Sequence, residues 1–316
     1  MNKLNTYTST GSKLFNHLDR LNALQKGVVI PIVMHIMPTS VCNLNCSYCS
    51  VKNRPKEELK LKDIKSTVMS AKNNGLKSVI ISGGGEPTLY PRYDEMIEFL
   101  QEEKLEMGLI TNGTTLKNKD INPYKWVRVS INPETIDNLK LPVFPKTTTL
   151  GFSYIISGLN MKQISDVIVK LDKLIELYQP AYVRLLADCT MDLIDIQMTN
   201  RMIAVGIRDA YFKDIYMQQI KLPKPPKNCY LGYLHPVLYC DGYIYPCDSC
   251  VLNNVDDQKF HDKYRLCHYS KFKEFIHGGI KSLVNPSVDC PRCVFSKQNN
   301  LLDSIINPPE VHKNFI

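Results

Sequence analysis

Eleven cysteines among 316 residues restrict this chain more than any other feature. Cys42, Cys46 and Cys49 lie near the start. Cys229, Cys240, Cys247, Cys250, Cys267, Cys290 and Cys293 fall in the last third, and Cys189 stands alone between the groups. An odd count fits a closed disulfide framework poorly. The N-terminus also lacks the apolar core and small-residue cleavage site of a signal peptide. The thiols are therefore expected to be reduced, in the cytoplasm, and to serve metal or redox chemistry. With 44% hydrophobic and 22% charged residues, the chain has the composition of a globular protein with a sizeable core. No apolar run approaches the ~18 residues of a membrane span. The net charge of +8 is spread without a basic block, so nucleic acid is not an expected partner.

Between the cysteine groups, strand-like and helix-like segments alternate. Strands are expected at 32–37, 77–82, 107–111, 126–131, 148–156 and 182–187, and helices at 62–74, 92–104, 161–178 and 192–207. The third helix carries Ile164, Val167, Ile168, Leu171, Leu174, Ile175 and Leu177 at helical spacing. Alternation of this kind predicts parallel βα units with right-handed crossovers. The expected fold class is α/β: a partial (β/α)6 TIM-like barrel with its site at the C-terminal strand ends. Pro223, Pro225 and Pro226 then interrupt the pattern. Beyond them Asp241-Gly242, flanked by Leu238-Tyr239 and Tyr243-Ile244-Tyr245, signals a β-hairpin. The tyrosines there are expected to pack a core rather than stack on bases. The organisation read from the sequence is a lead-in over 1–31, the barrel over 32–210, a linker over 211–228, a small Cys-rich subdomain over 229–295 and a tail over 296–316. The subdomain is expected to bury little core and to be stapled by metal.

Cys42-x3-Cys46-x2-Cys49 follows the first strand directly, with no fourth cysteine nearby. Structural zinc or a saturated cluster asks for four ligands. Three thiolates on one short loop leave one iron of a 4Fe–4S cube without a protein ligand. Further along, Ser82-Gly83-Gly84-Gly85-Glu86-Pro87 closes the second strand, Ile110-Thr-Asn112-Gly113 the third and Val127-Arg-Val-Ser130 the fourth. With Tyr48 just before Cys49, these segments resemble the radical S-adenosylmethionine (radical SAM) enzymes over roughly residues 32–210. The resemblance implies a 4Fe–4S cluster on Cys42, Cys46 and Cys49 whose open iron chelates S-adenosylmethionine (SAM). Tyr48 looks like an adenine contact, Gly84, Gly85 and Glu86 like the edge that receives the SAM amino group, and Ser130 with Asn112 like ribose or carboxylate contacts. The activity implied is one-electron cleavage of SAM to a 5′-deoxyadenosyl radical that abstracts hydrogen from a C–H bond. An external one-electron donor such as flavodoxin or ferredoxin is implied with it.

Cys229, Gly242 and Cys247 form a C-x12-G-x4-C pattern, and Cys290-x2-Cys293 follows. This is similar to the twitch subdomain, the shorter form of the SPASM domain found after some radical SAM barrels. The resemblance implies one auxiliary 4Fe–4S cluster on Cys229, Cys247, Cys290 and Cys293. Cys250, Cys240 and Cys267 are further thiols that could replace one of these ligands, and a zinc ribbon built on Cys247/Cys250 and Cys290/Cys293 is the alternative.

Weaker signals surround the sixth strand. Cys189 at a barrel mouth could return hydrogen to a substrate radical, although free cysteines are mostly buried small hydrophobes. Arg184 and Asp188 alternate with Leu186 and are candidates to face the barrel interior and hold a charged substrate. An auxiliary cluster suits electron transfer, so the expected reaction is oxidation, dehydrogenation or cross-linking of a small molecule or peptide. A radical SAM epimerase using a cysteine hydrogen donor is one alternative. A non-catalytic iron–sulfur or zinc protein with a redox or nucleic-acid role is the other. The chain is not expected to be a molybdenum-cofactor cyclase, because it lacks the C-x2-C-x13-C spacing and the Gly-Gly end of that class. With 41 residues before Cys42, no fused leader-binding domain is expected either.

Overall fold

The computed structural model describes residues 6–7, 9–51, 54, 56–158, 160–209, 215–217, 225–252, 262–290 and 293–308. Seven strands run parallel in chain order: β1 (Val33–Ile36), β2 (Ser78–Ile81), β3 (Glu106–Thr111), β4 (Tyr124–Ile131), β5 (Thr149–Ile156), β6 (Tyr182–Ala187) and β7 (Ile215–Met217). The expected partial barrel is thus present, as an open sheet curved around its inward side chains. Helices follow β1 (α2, Leu61–Asn73), β2 (α3, Tyr93–Glu102), β5 (α4, Met161–Tyr178) and β6 (α5, Leu193–Asp209). The crossovers after β3 and β4 carry no α-helix. A single 3-10 turn, Leu116–Asn118, and buried Ile136 and Leu139 cover the sheet there.

The helices form where the sequence placed them because their apolar stripes meet the sheet. In α2, Leu61, Ile64, Val68 and Ala71 recur at helical spacing and are buried. Asn160 and Gln163 close a reciprocal capping box on α4, which buries Ile164, Ile168, Leu171 and Leu174. Leu177, on the same count, faces solvent instead. Two inward glycines make room for aromatic rings. A Cβ at Gly108 would strike the Trp126 ring, and one at Gly151 the Tyr182 ring, each from the neighbouring strand.

The region after the barrel departs from expectation. The hairpin forms as read, with β8 (Val237–Leu238) and β9 (Tyr243–Tyr245) antiparallel around Gly242 at φ +84°. However, β8 also pairs in parallel with β1, and β10 (Cys267–His268) extends the edge beyond β9. One ten-stranded sheet therefore runs through both regions. Tyr230, Leu231, Leu234, Leu238, Ile244, Phe272 and Ile276 join the barrel's own core, so the region is not short of buried surface. Burial of this kind supplies its stability without relying on metal alone.

Three further segments carry elements that the sequence reading did not specify. Within 211–228, residues 215–217 form β7 against β6. Pro223 lies outside the described residues. The lead-in contains α1 (Leu18–Gln25), which buries Leu21 and Leu24. The expected tail contains a helix, Ser296–Ile306, with Leu302 and Asn299 buried. Gln298 on that helix donates to the Ser9 carbonyl at 3.2 Å, so both ends of the described chain meet. Among the described residues, no helix is long and apolar enough to cross a membrane.

Candidate functional site

The first cysteine loop is held at its base before any cofactor is considered. Residues 38–40 pair with 57–59: Ser40 N donates to the Glu57 carbonyl at 2.9 Å and Leu59 N to the Pro38 carbonyl at 2.9 Å. Gly85 N and Glu86 N then donate to the Thr39 and Val41 carbonyls at 3.1 and 2.8 Å, fixing the glycine turn against the loop. This explains the glycines. A Cβ at Gly85 would collide with the Val41 carbonyl, and one at Gly84 would stand 2.6 Å from the Tyr239 hydroxyl. None of residues 83–85 has a positive φ, so close approach and not backbone freedom requires glycine here.

Glu86 is held by donors from two segments. Its carboxylate is only 2% exposed and accepts from Thr88 N (3.1 Å), Thr88 Oγ1 (2.5 Å), Thr111 Oγ1 (2.6 Å) and Asn112 N (2.7 Å). Burial pushes its pKa up while those donors oppose the shift. The side chain bolts the turn to the end of β3 and is not among the residues that line the interior cavity. Asn112 is similarly engaged: its Nδ2 donates to Asn43 Oδ1 at 2.9 Å and lies 3.9 Å from Cys42 Sγ, while its Oδ1 accepts from Thr114. Both residues shape the loop. Arg54, which the sequence reading missed, donates to the Ser40 carbonyl at 2.6 Å and to Cys49 Sγ at 3.4 Å. On the other side of the loop, burial and the nearby Glu134 carboxylate raise the Cys46 thiol.

Inside the barrel lies a cavity of about 900 Å³. Tyr48 and Ser50 of the first cysteine loop line it, as do Ser130, Arg184 and Cys189. So do Asp248, Ser249, Val294 and Phe295, which neighbour the second cysteine group in sequence. The open side of the barrel is walled by Tyr7, stacked on Tyr182 at 4.7 Å, and by Leu231, Leu234 and Gln298. Asp188 does not join Arg184 in the cavity. It accepts from Thr190 N, Thr190 Oγ1 and Ser157 Oγ at 2.6–2.8 Å, and so closes the loop after β6.

The second group gathers five thiols from three segments. Cys229 is buried, and its pKa is raised by burial and by the nearby Cys247, Cys293 and Cys290 thiols. Cys247 and Cys250 stand 3.6 Å apart, and Cys250 also hydrogen-bonds Cys290. Burial pushes Cys293 up to about 11. Asn299 spans this group: its Oδ1 accepts from Tyr230 N and Leu231 N at 2.8 and 3.0 Å, and its Nδ2 lies 3.9 Å from Cys293 Sγ. Among the described residues, no three His, Cys, Asp or Glu side chains converge at the spacing of a single ion. The remaining cysteines lie elsewhere. Cys240 is buried against Ser40, and Cys267 sits on the β10 edge.

Residues 36–164 match the Radical SAM superfamily. A probable GTP 3′,8-cyclase of Pyrococcus abyssi is 33% identical over 111 residues, covering 34% of this chain and 36% of that protein. The tungsten-containing aldehyde ferredoxin oxidoreductase cofactor-modifying protein of Pyrococcus furiosus is 27% identical over 143 residues, covering 43% and 38%. These alignments span less than two fifths of either relative, and the two names denote different reactions. The structure of Streptococcus suis SuiB bound to precursor peptide SuiA superposes with a TM-score of 0.54 and 19% identity, over 86% of this chain and 71% of that one. At that identity the likeness is one of fold, and it agrees with a partial barrel. The chain therefore carries a radical SAM domain, whose cofactors are a 4Fe–4S cluster and SAM.

Proposed function

We propose that the chain is a radical SAM oxidase whose substrate lies between two iron–sulfur clusters. The observation that carries the reading is a shared cavity: residues of the first cysteine loop and residues adjoining the second cysteine group line the same chamber. Bound at these sites, the clusters and SAM supply one-electron cleavage of the sulfonium, hydrogen abstraction from a substrate C–H bond and an acceptor for the remaining electron. The chain's own part is placement. Cys42, Cys46 and Cys49 hold the first cluster; Tyr48, Ser130 and the backbone of Gly84 and Gly85 frame SAM. Because the Glu86 carboxylate already accepts four hydrogen bonds, the turn meets SAM chiefly through its backbone. Cys229, Cys247, Cys290 and Cys293 hold the auxiliary cluster, with Cys250 as the competing ligand. Tyr7, Leu231, Leu234 and Gln298 close the open seam and keep water from the radical.

The substrate is a small molecule or a peptide segment, and an external flavodoxin or ferredoxin delivers the electron. Cys189 in the chamber wall favours one second reading, an epimerase in which that thiol returns the hydrogen atom. Anaerobic, reconstituted, dithionite-reduced protein should convert SAM to 5′-deoxyadenosine. With substrate it should give a product two electrons more oxidised. A product of unchanged oxidation state carrying solvent deuterium would replace the oxidase by the epimerase, and no 5′-deoxyadenosine would sink both.

A further inference from the structure

Among the described residues, the chamber holds a cation without a counter-charge. Arg128 points inward from β4, in register with Ile110 on β3 and Gly151 on β5. Its guanidinium lies 5.8 Å from the Trp126 ring centroid, and among the described residues it has neither a carboxylate nor a hydrogen-bond partner. The packing is built around that placement: Gly108 is needed for Trp126 to lie where it does, and the ring supports the arginine. Arg184, 5% exposed, lines the same chamber from β6. Opposite, His35 bonds Ser82 through Nε2 at 2.5 Å and stacks on His235 at 5.9 Å, and His235 Nε2 is a buried atom without a partner. Only two carboxylates line the chamber among the described residues. Glu106 is at the entering end of β3, and Asp248 is beside the second cysteine group. A partly buried guanidinium facing no anion is costly unless a ligand brings one, and its planar fork suits a phosphate or carboxylate.

We propose that the substrate carries an oxyanion, phosphate or carboxylate, seated on Arg128 beside His235 and Arg184. This rests on the chamber being the substrate site of the radical reaction. SAM's own carboxylate is not the group meant. Arg128 sits one inward step below Ser130, away from the cysteine loop, and it is close enough to His35 to disfavour that ring's protonation.

The test is calorimetric titration of the reconstituted protein with pyrophosphate and, separately, with succinate, each with and without saturating SAM. Emission of Trp126, the chain's one tryptophan, is followed in parallel. At least one anion should bind saturably, change that emission and persist with SAM present. Preference for pyrophosphate assigns a phosphoryl group, and preference for succinate a carboxylate. Arg128→Gln should weaken binding by about tenfold or more, and Arg128→Lys should recover part of it. Absence of saturable binding by either anion, displacement of both by SAM, or undiminished binding by Arg128→Gln would overturn the proposal. Formation of 5′-deoxyadenosine by the wild type, assayed alone, separates failure of the anion seat from failure of the radical reading.

Discussion

The two cysteine groups are built in opposite ways. Cys42, Cys46 and Cys49 occupy eight consecutive residues, and local backbone pairing from 57–59 and the glycine turn fixes them. Cys229, Cys247, Cys250, Cys290 and Cys293 are spread over 65 residues and converge only because a hairpin, a short helix and the C-terminal helix meet. A local site depends on its ligands and on the close approach beneath them. A site assembled from distant segments depends on every bolt between those segments. The first should therefore fail through chemistry and the second through folding.

The largest effect is expected at the local site. Cys46→Ala should lower 5′-deoxyadenosine formation by roughly 10³-fold or more while leaving the thermal midpoint close to that of the wild type, since the loop is held by backbone bonds. A collapse of the fold would break the comparison.

The second group can be resolved by its spare thiol. Cys229→Ala should release the auxiliary cluster, whereas Cys250→Ala should keep it, as seen in the iron-to-protein ratio and the visible absorption. If Cys250→Ala also loses the cluster, the Cys247/Cys250 pair at 3.6 Å is a ligand pair and the assignment shifts to it.

A smaller effect separates bolts from ligands. Asn299→Ala removes the acceptor for Tyr230 N and Leu231 N and should cost about 1–3 kcal/mol. It should speed auxiliary-cluster loss on dilution without altering SAM cleavage. Equal loss of both clusters would show that the regions do not fail separately.

The smallest effect probes the seam where β1 meets the approach to β8. Burial holds the His35 ring well below its ordinary pKa of 6.5, with His235 and Arg128 adding to the shift. The unfolded chain then binds a proton that the folded one refuses, so stability is complete above pH 6.5 and falls as pH drops below it. His35→Gln should flatten that decline in chemical denaturation between pH 7 and pH 5. An unchanged slope would show that His35 is protonated in the fold.

What the sequence disclosed follows the same divide. Strands β1 to β6, the four barrel helices and the first cysteine loop are set by period, caps and short spacing, and could be read directly, whereas β7 and β10 could not. Glu86 was legible as part of a turn but not as a bolt, because its donors come from residues 88, 111 and 112. Asn299 and Arg54 carry no motif, and only tertiary closure gives them their thiol neighbours. Spacing likewise could not choose among the five thiols of the second group, nor show that its hairpin would pair with β1. The helix at 296–306 was missed because polar residues at 297–300 obscure a stripe in which Leu302 alone is a buried apolar anchor.

The central claim, that two clusters face one chamber, is tested most directly by metal content. Anaerobically reconstituted wild type should hold about eight irons per chain and no zinc. The triple variant Cys42→Ala, Cys46→Ala, Cys49→Ala should hold about four. Four irons in the wild type, none in the triple variant, or zinc at the second group would contradict it.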